Sequence, residues 1–236
     1  MVVSRQVSSW HELAKLIEDH SDGRWIFRGV KDATYPLVPK IGRDGARKDP
    51  ATGEPLPYSR EGEMQMYAEF RRTARPYLRD GTHRDIELLA VAQHHGLPTR
   101  LLDWTESPLV AAYFASEDAG TGVNPPAIFA VRDVPLLNET TNVLDALTEV
   151  SLYRPSHISP RIPAQQCVFT VHPNPDRDEF VPDRVEKWVL IKARETFWLK
   201  QILAACGVNR ASLFPDLDGL AQYLGWRYKW SKFPRS

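Results

Sequence analysis

The chain has 236 residues, 42% of them hydrophobic, enough for a sizeable core and near the upper end of what one domain holds. Its 30 basic and 30 acidic residues cancel, which removes the bulk attraction behind non-specific binding to nucleic acid or an anionic membrane, so any such partner has to be met by a local patch. Two isolated cysteines, Cys167 and Cys206, are too few for a disulfide framework or a closed zinc site, the first residues lack the apolar stretch of a secretory signal, and no apolar run approaches roughly 18 residues; a cytoplasmic chain with no membrane segment and no metal is expected.

Ser9-Trp10-His11-Glu12 has capping-box spacing, and Trp10, Leu13, Ala14 and Ile17 share a helical face, predicting a first helix to about His20. Gly23 releases the chain into residues 25–30, Trp-Ile-Phe-Arg-Gly-Val, which predict a short strand with Arg28 among apolar neighbours. Residues 42–58, rich in turn formers and charges, read as an exposed loop. Helical spacing follows over 60–79, with Pro76 distorting the last turn, and over 84–94, stopped by Gly96. Residues 97–104 read as a strand or extended turn, and Ser107-Pro108 as an N-cap and first helical proline of a helix through Ala115. Residues 127–131, 167–171 and 188–191 suit buried strands of one sheet. Residues 197–206 and 217–224 suit helices, the first ended by Gly207 and the second entered through Pro215. A tail over 226–236 interleaves Arg227, Lys229, Lys232 and Arg235 with aromatic residues. The pattern predicts one α+β domain over 1–236, with a core at about 20–225 and a central mixed or antiparallel sheet flanked by N-terminal, middle and C-terminal helices.

The densest polar cluster is residues 92–115, where His94, His95, Thr99, Arg100, Asp103, Trp104, Thr105, Glu106 and Ser107 stand between apolar flanks. Such a cluster is costly to bury unless its hydrogen bonds are met, so it lines a pocket or forms a polar network. Plain structural roles compete for each member. Arg28 and Asp103 suit a buried ion pair, His94 suits a helix C-terminus, and Trp104, Tyr113 and Phe114 suit a core, while Asp216 and Asp218 favour a helix start. His94 and His95, adjacent on a helix, point apart and make no metal site. A metal-independent nuclease or phosphodiesterase using His94, Arg100 and Asp103 is one functional alternative.

Phe27-Arg28-Gly29, the run from Gln93 through Thr105, Ser107-Pro108 with Ala111-Ala112-Tyr113-Phe114-Ala115, Arg161-Ile162 with Gln165 and Phe169, and Leu213 through Leu220 together resemble the FRG domain, the family named for that tripeptide. The matches run from about residue 20 to about residue 225. Cys167 departs from the family pattern, which often has Gly there; the change alters a turn unless that backbone needs a positive φ.

The order of features is also similar to that of ADP-ribosyltransferases: an Arg-Gly on an early strand, a Thr/Ser-rich strand leading into a helix of the form S-P-x-x-A-A-x-F-A, and a polar residue opening a later strand. The resemblance implies an ADP-ribosyltransferase-like fold and NAD as substrate, without a metal, with Arg28, Thr105 with Ser107, and Gln165 as the three stations. Arg28 would hold the pyrophosphate bidentately, and Gly29, His94, Thr99, Trp104, Thr105, Ser107 and Tyr113 would line the nucleotide site. Gln165 stands where such transferases carry Glu and brings no charge to offset a developing ribosyl cation; Asp103, Glu106 or Glu195 would supply the carboxylate instead. The implied activity is transfer of ADP-ribose to a protein or nucleic-acid acceptor, or NAD hydrolysis, in a toxin or phage-defence effector. The competing class is a non-enzymatic module that senses a nucleotide or binds a partner.

Overall fold

A computed structural model of the chain describes residues 2–78, 84–117, 124–138, 142–156, 159–177, 185–190 and 196–230. In chain order its elements are β1 (Val2–Val7), α1 (Trp10–Asp19), β2 (Trp25–Val30), β3 (Arg47–Lys48), β4 (Pro55–Leu56), α2 (Arg60–Thr73), α3 (Asp85–His94), β5 (Leu101–Thr105), α4 (Pro108–Ser116), β6 (Ala127–Arg132), β7 (Ser151–Tyr153), α5 (Arg161–Ala164), β8 (Cys167–Val171), β9 (Val185–Leu190), α6 (Thr196–Ala205), α7 (Arg210–Leu213) and α8 (Leu217–Lys229). Seven strands form one sheet in the order β1-β9-β6-β2-β5-β8-β7. Only β1 runs parallel to its neighbour, so the sheet is mixed, and the α+β class expected from the sequence holds. Among the described residues no helix is long and apolar enough to cross a membrane.

Directly opposed residues of antiparallel strands share a face, so the Phe27–Thr105 pairing orients the whole sheet. On the Phe27 side, α1, α4 and α6 cover Phe27, Ile128 and Trp188, while α2 and α3 cover Leu101, Phe169 and Val171. The other side buries Ile26, Leu102, Trp104 and Phe129 under Ala33 and Leu37 of the loop after β2. The ladder is uneven. β2 pairs with β6 along all six of its residues, but with β5 only at Phe27 and Thr105, so the sheet parts between β2 and β5.

Two glycines fix this geometry. A Cβ on Gly29 would lie 1.9 Å from the Ala111 carbonyl oxygen and 2.6 Å from the Ala115 nitrogen, so α4 can lie on β2 only because residue 29 has no side chain. Gly96, at φ +93°, closes α3 in a Schellman turn, with Leu97 N donating to Ala92 O at 3.0 Å and Gly96 N to Gln93 O at 2.9 Å. The chain then reverses into β5 and brings the end of α3 beside it.

Several boundaries differ from expectation. The helix from residue 60 stops at Thr73, because Pro76 lacks the donor an α-helix needs, and Arg75–Tyr77 tightens into a 3-10 turn. The exposed loop over 42–58 holds the β3–β4 hairpin. α8 passes through Gly225, which has no positive φ, and absorbs the first residues of the expected tail; Lys232 and Arg235 lie outside the described residues. β1 and β7 were not foreseen. Arg100 and Glu63, both almost wholly enclosed, form a bidentate pair (Nε to Oε1 2.9 Å, Nη2 to Oε2 2.6 Å), completed by Arg100 Nη1 to Val143 O at 3.0 Å and Tyr58 OH to Glu63 Oε2 at 2.5 Å.

Candidate functional site

A cleft of about 500 Å³ opens where β2 and β5 part. Alternation along β2 puts Arg28 on the side opposite Phe27, and the parting lets its guanidinium reach β5: Nη1 donates to the Asp103 carbonyl oxygen at 2.6 Å and lies 3.8 Å from the Asp103 carboxylate. Arg28 Nε is buried with no hydrogen-bond partner among the described residues. Burial pulls the guanidinium below the ordinary arginine range and Asp103 opposes that pull; arginine nonetheless remains a cation. The Asp103 side chain is 54% exposed, open to whatever enters the cleft. Gln93, at the end of α3, steers it by donating from Nε2 to Asp103 Oδ2 at 3.1 Å and to Leu101 O at 3.2 Å.

The opposite wall is tied to β5 by Thr105, whose hydroxyl donates to the Gln165 carbonyl at 2.7 Å and accepts from Ser107 N at 3.1 Å. Gln165 Nε2 donates to Leu213 O at 3.0 Å, so its carboxamide is held beside the cleft. The positive φ in this turn falls on Gln166, at 45°, and Cys167 sits in ordinary strand backbone opposite Thr105; the departure from glycine at 167 costs no left-handed strain. Burial, with Asp103 adding to it, pushes the Cys167 thiol well above its ordinary range, so it is protonated and a poor nucleophile. His94 Nε2 lies 3.2 Å from Ser159 Oγ. Burial, then Arg161 and His95, lower the pKa of His94 and keep it neutral at pH 7.

Four cations, Arg28, Lys31, Arg43 and Arg161, line the cleft against two acids, Asp103 and Glu117. Phe214 closes one end beneath two guanidiniums, with Arg210 3.7 Å and Arg161 5.3 Å from its ring centre. A cationic, partly aromatic cleft of this size suits a phosphorylated small molecule.

Of the residues expected at the site, Arg28, Gly29, His94, Asp103, Trp104, Thr105 and Gln165 line this one cleft. The others do not. Thr99 stands behind the wall, buried, with its hydroxyl donating to Gln93 Oε1 at 2.6 Å. Ser107 is the N-cap of α4, its hydroxyl accepting from Val110 N. Tyr113 faces away, its hydroxyl donating to Glu117 at 3.3 Å beside a second cavity. Trp104 borders the cleft, but its indole is buried and donates to Thr170 Oγ1 at 2.9 Å, which removes it as a stacking platform. Arg100 is sealed against Glu63, so His94 and Asp103 have no Arg100 beside them for phosphodiester chemistry. Glu106 is outside the lining and pairs with Arg154, and Glu195 lies outside the described residues. Gly29 contributes backbone, its missing side chain being demanded by α4.

Lys31, Arg43, Glu117 and the paired Arg161 and Phe214 were not given site roles from sequence. Arg161 and Phe214 stood inside the recognised motifs, but Lys31 and Arg43 come from loop turns that no periodicity marks.

No curated protein and no solved structure matches the chain. A family model does match: residues 23–122 fit the FRG domain, a span that contains Arg28, Gly29, the end of α3, β5 and α4. The parting of β2 from β5 that shapes the cleft lies within that matched span.

Proposed function

We propose that the cleft binds NAD and that the protein is ADP-ribosyltransferase-like, breaking the nicotinamide–ribose bond to hydrolyse NAD or pass on ADP-ribose. The observation that carries this reading is the largely buried Arg28 guanidinium, which lines one cleft with Thr105 and Gln165 and has its Nε unpartnered among the described residues. A largely buried cation is costly unless it is paired with charge, and a pyrophosphate in the cleft supplies that charge to the part of the guanidinium left open. Lys31 and Arg43 add to the pull on the phosphates, while Arg161 is paired with Asp216.

In the proposed reaction the C1′–N bond breaks, and nicotinamide leaves neutral with the bonding pair. Water or an acceptor nucleophile adds to C1′ and gives up a proton. Asp103 is the carboxylate placed to offset the ribosyl cation, since it is half open and already steered by Gln93, whereas Glu117 is committed to Arg210. Gln165 contributes a hydrogen bond to ribose rather than charge.

NAD labelled in its nicotinamide ring tests the reading. Release of free nicotinamide, with Asp103→Asn retaining calorimetric NAD binding but losing release, is the expected result. Absence of any NAD binding overturns the reading. Binding without release selects the non-enzymatic sensor, which the uncharged Gln165 favours.

A further inference from the structure

α8 is anchored at its start. Asp216 caps it by accepting from Gly219 N at 2.7 Å, and a Cβ on Gly219 would lie 2.0 Å from Phe214 O. At 100° per residue, Gly219, Tyr223 and Trp226 fall on one side of the helix, and that side meets the body: Gly219 is buried, and Tyr223 and Trp226 line the second cavity with Tyr113. The opposite side carries Leu217, Leu220, Ala221, Leu224 and Tyr228, all exposed, with Leu217 at 83% and Tyr228 at 79%. Residues 217, 221, 224 and 228 recur at intervals of four and three, the seam of a two-helix contact rather than scattered surface leucines.

We propose that this stripe is a self-association surface on which α8 of a second copy of the chain packs antiparallel about a two-fold axis. In that register Leu217 meets Tyr228 of the other copy, and the small Ala221 meets Leu224, so the ridges interdigitate. Charge selects the direction. Asp218 and Lys229 lie on the same flank of the stripe at opposite ends of the helix, and a two-fold axis sets Asp218 of each copy against Lys229 of the other, twice. Antiparallel macrodipoles add to this, whereas a parallel pairing separates the two charges by the length of the helix. An anionic lipid surface is the poorer occupant, since α8 has two bases and an acid where a membrane-surface helix needs a basic face.

Sedimentation of the full chain from about 1 to 100 µM tests this. A concentration-dependent dimer is expected. Leu224→Glu should weaken association by about tenfold or more with an unchanged melting temperature. Asp218→Lys and Lys229→Asp should each weaken it, and the double variant D218K/K229D should restore it, which a merely sticky helix would not do. A monomer at every concentration, a dimer indifferent to Leu224→Glu, or a double variant no better than the singles overturns the proposal. So does a monomer that co-sediments with phosphatidylserine vesicles.

Discussion

The Thr105 hydroxyl donates to the Gln165 carbonyl at 2.7 Å, joining the end of β5 to the turn before β8 across sixty positions of chain. This bond holds the two walls of the cleft in register. Thr105→Val keeps the side-chain shape and leaves that carbonyl without its partner, so about 1–3 kcal/mol of stability should be lost in urea unfolding, with NAD affinity falling in parallel. Gln165→Glu, which adds the missing charge beside the cleft, should raise nicotinamide release; an unchanged rate would take Gln165 out of contact with ribose.

Arg28→Ala should abolish calorimetric NAD binding. The residue makes one hydrogen bond to Asp103 O and leaves Nε unpartnered, so its loss should shift the melting temperature only slightly. Arg28→Lys should restore little affinity, because a point charge cannot grip a pyrophosphate bidentately. Unfolding that accompanies the loss of binding would make Arg28 structural.

Glu63→Ala strands the Arg100 guanidinium in the core and should cost about 3–5 kcal/mol, a fall of roughly 10 °C in melting temperature. The double change Glu63→Met with Arg100→Leu should recover much of that loss, since an apolar pair avoids the desolvation of both ions.

His172 gives the fold an acid limit. The Trp104 indole donates to the Thr170 hydroxyl, which lies 2.9 Å from His172 Nε2, so the imidazole is enclosed in a buried polar network. Burial, then the Arg28 and Arg100 charges, lower the His172 pKa from 6.5 to about 3. Between those values the unfolded chain holds a proton that the folded chain lacks, so this stability is full above pH 6.5 and is lost as pH falls toward 3, by at most about 5 kcal/mol. Urea midpoints measured from pH 7 to pH 4 should fall steadily, and His172→Gln should flatten that part of the slope.

Much of this architecture is written in side-chain periodicity. The cores of β2, β5, β6, β8 and β9, the cap of α1 and the glycine stop of α3 follow from local pattern. β1 does not, because Ser4, Arg5 and Gln6 carry no apolar alternation and become a strand only by pairing with β9 at the sheet's edge. β7 is three residues long and leaves no pattern to read. At the site, the sequence reading put Asp103, Trp104 and Thr105 together, whereas in β5 Asp103 and Thr105 share a face and Trp104 points the other way into the core. The cations that arrive on loops, Lys31 and Arg43, are placed by tertiary packing alone.

In most sheets a recess must be cut by a missing strand or built above the surface by loops. Here the backbone itself supplies the opening: after Phe27 the neighbouring strands let go of each other, and a side-chain guanidinium takes the carbonyl that a ladder would have claimed. The width of the aperture is therefore set by one arginine bridging two edges, and anything that draws Arg28 away from Asp103 loosens the seam of the sheet as it fills it.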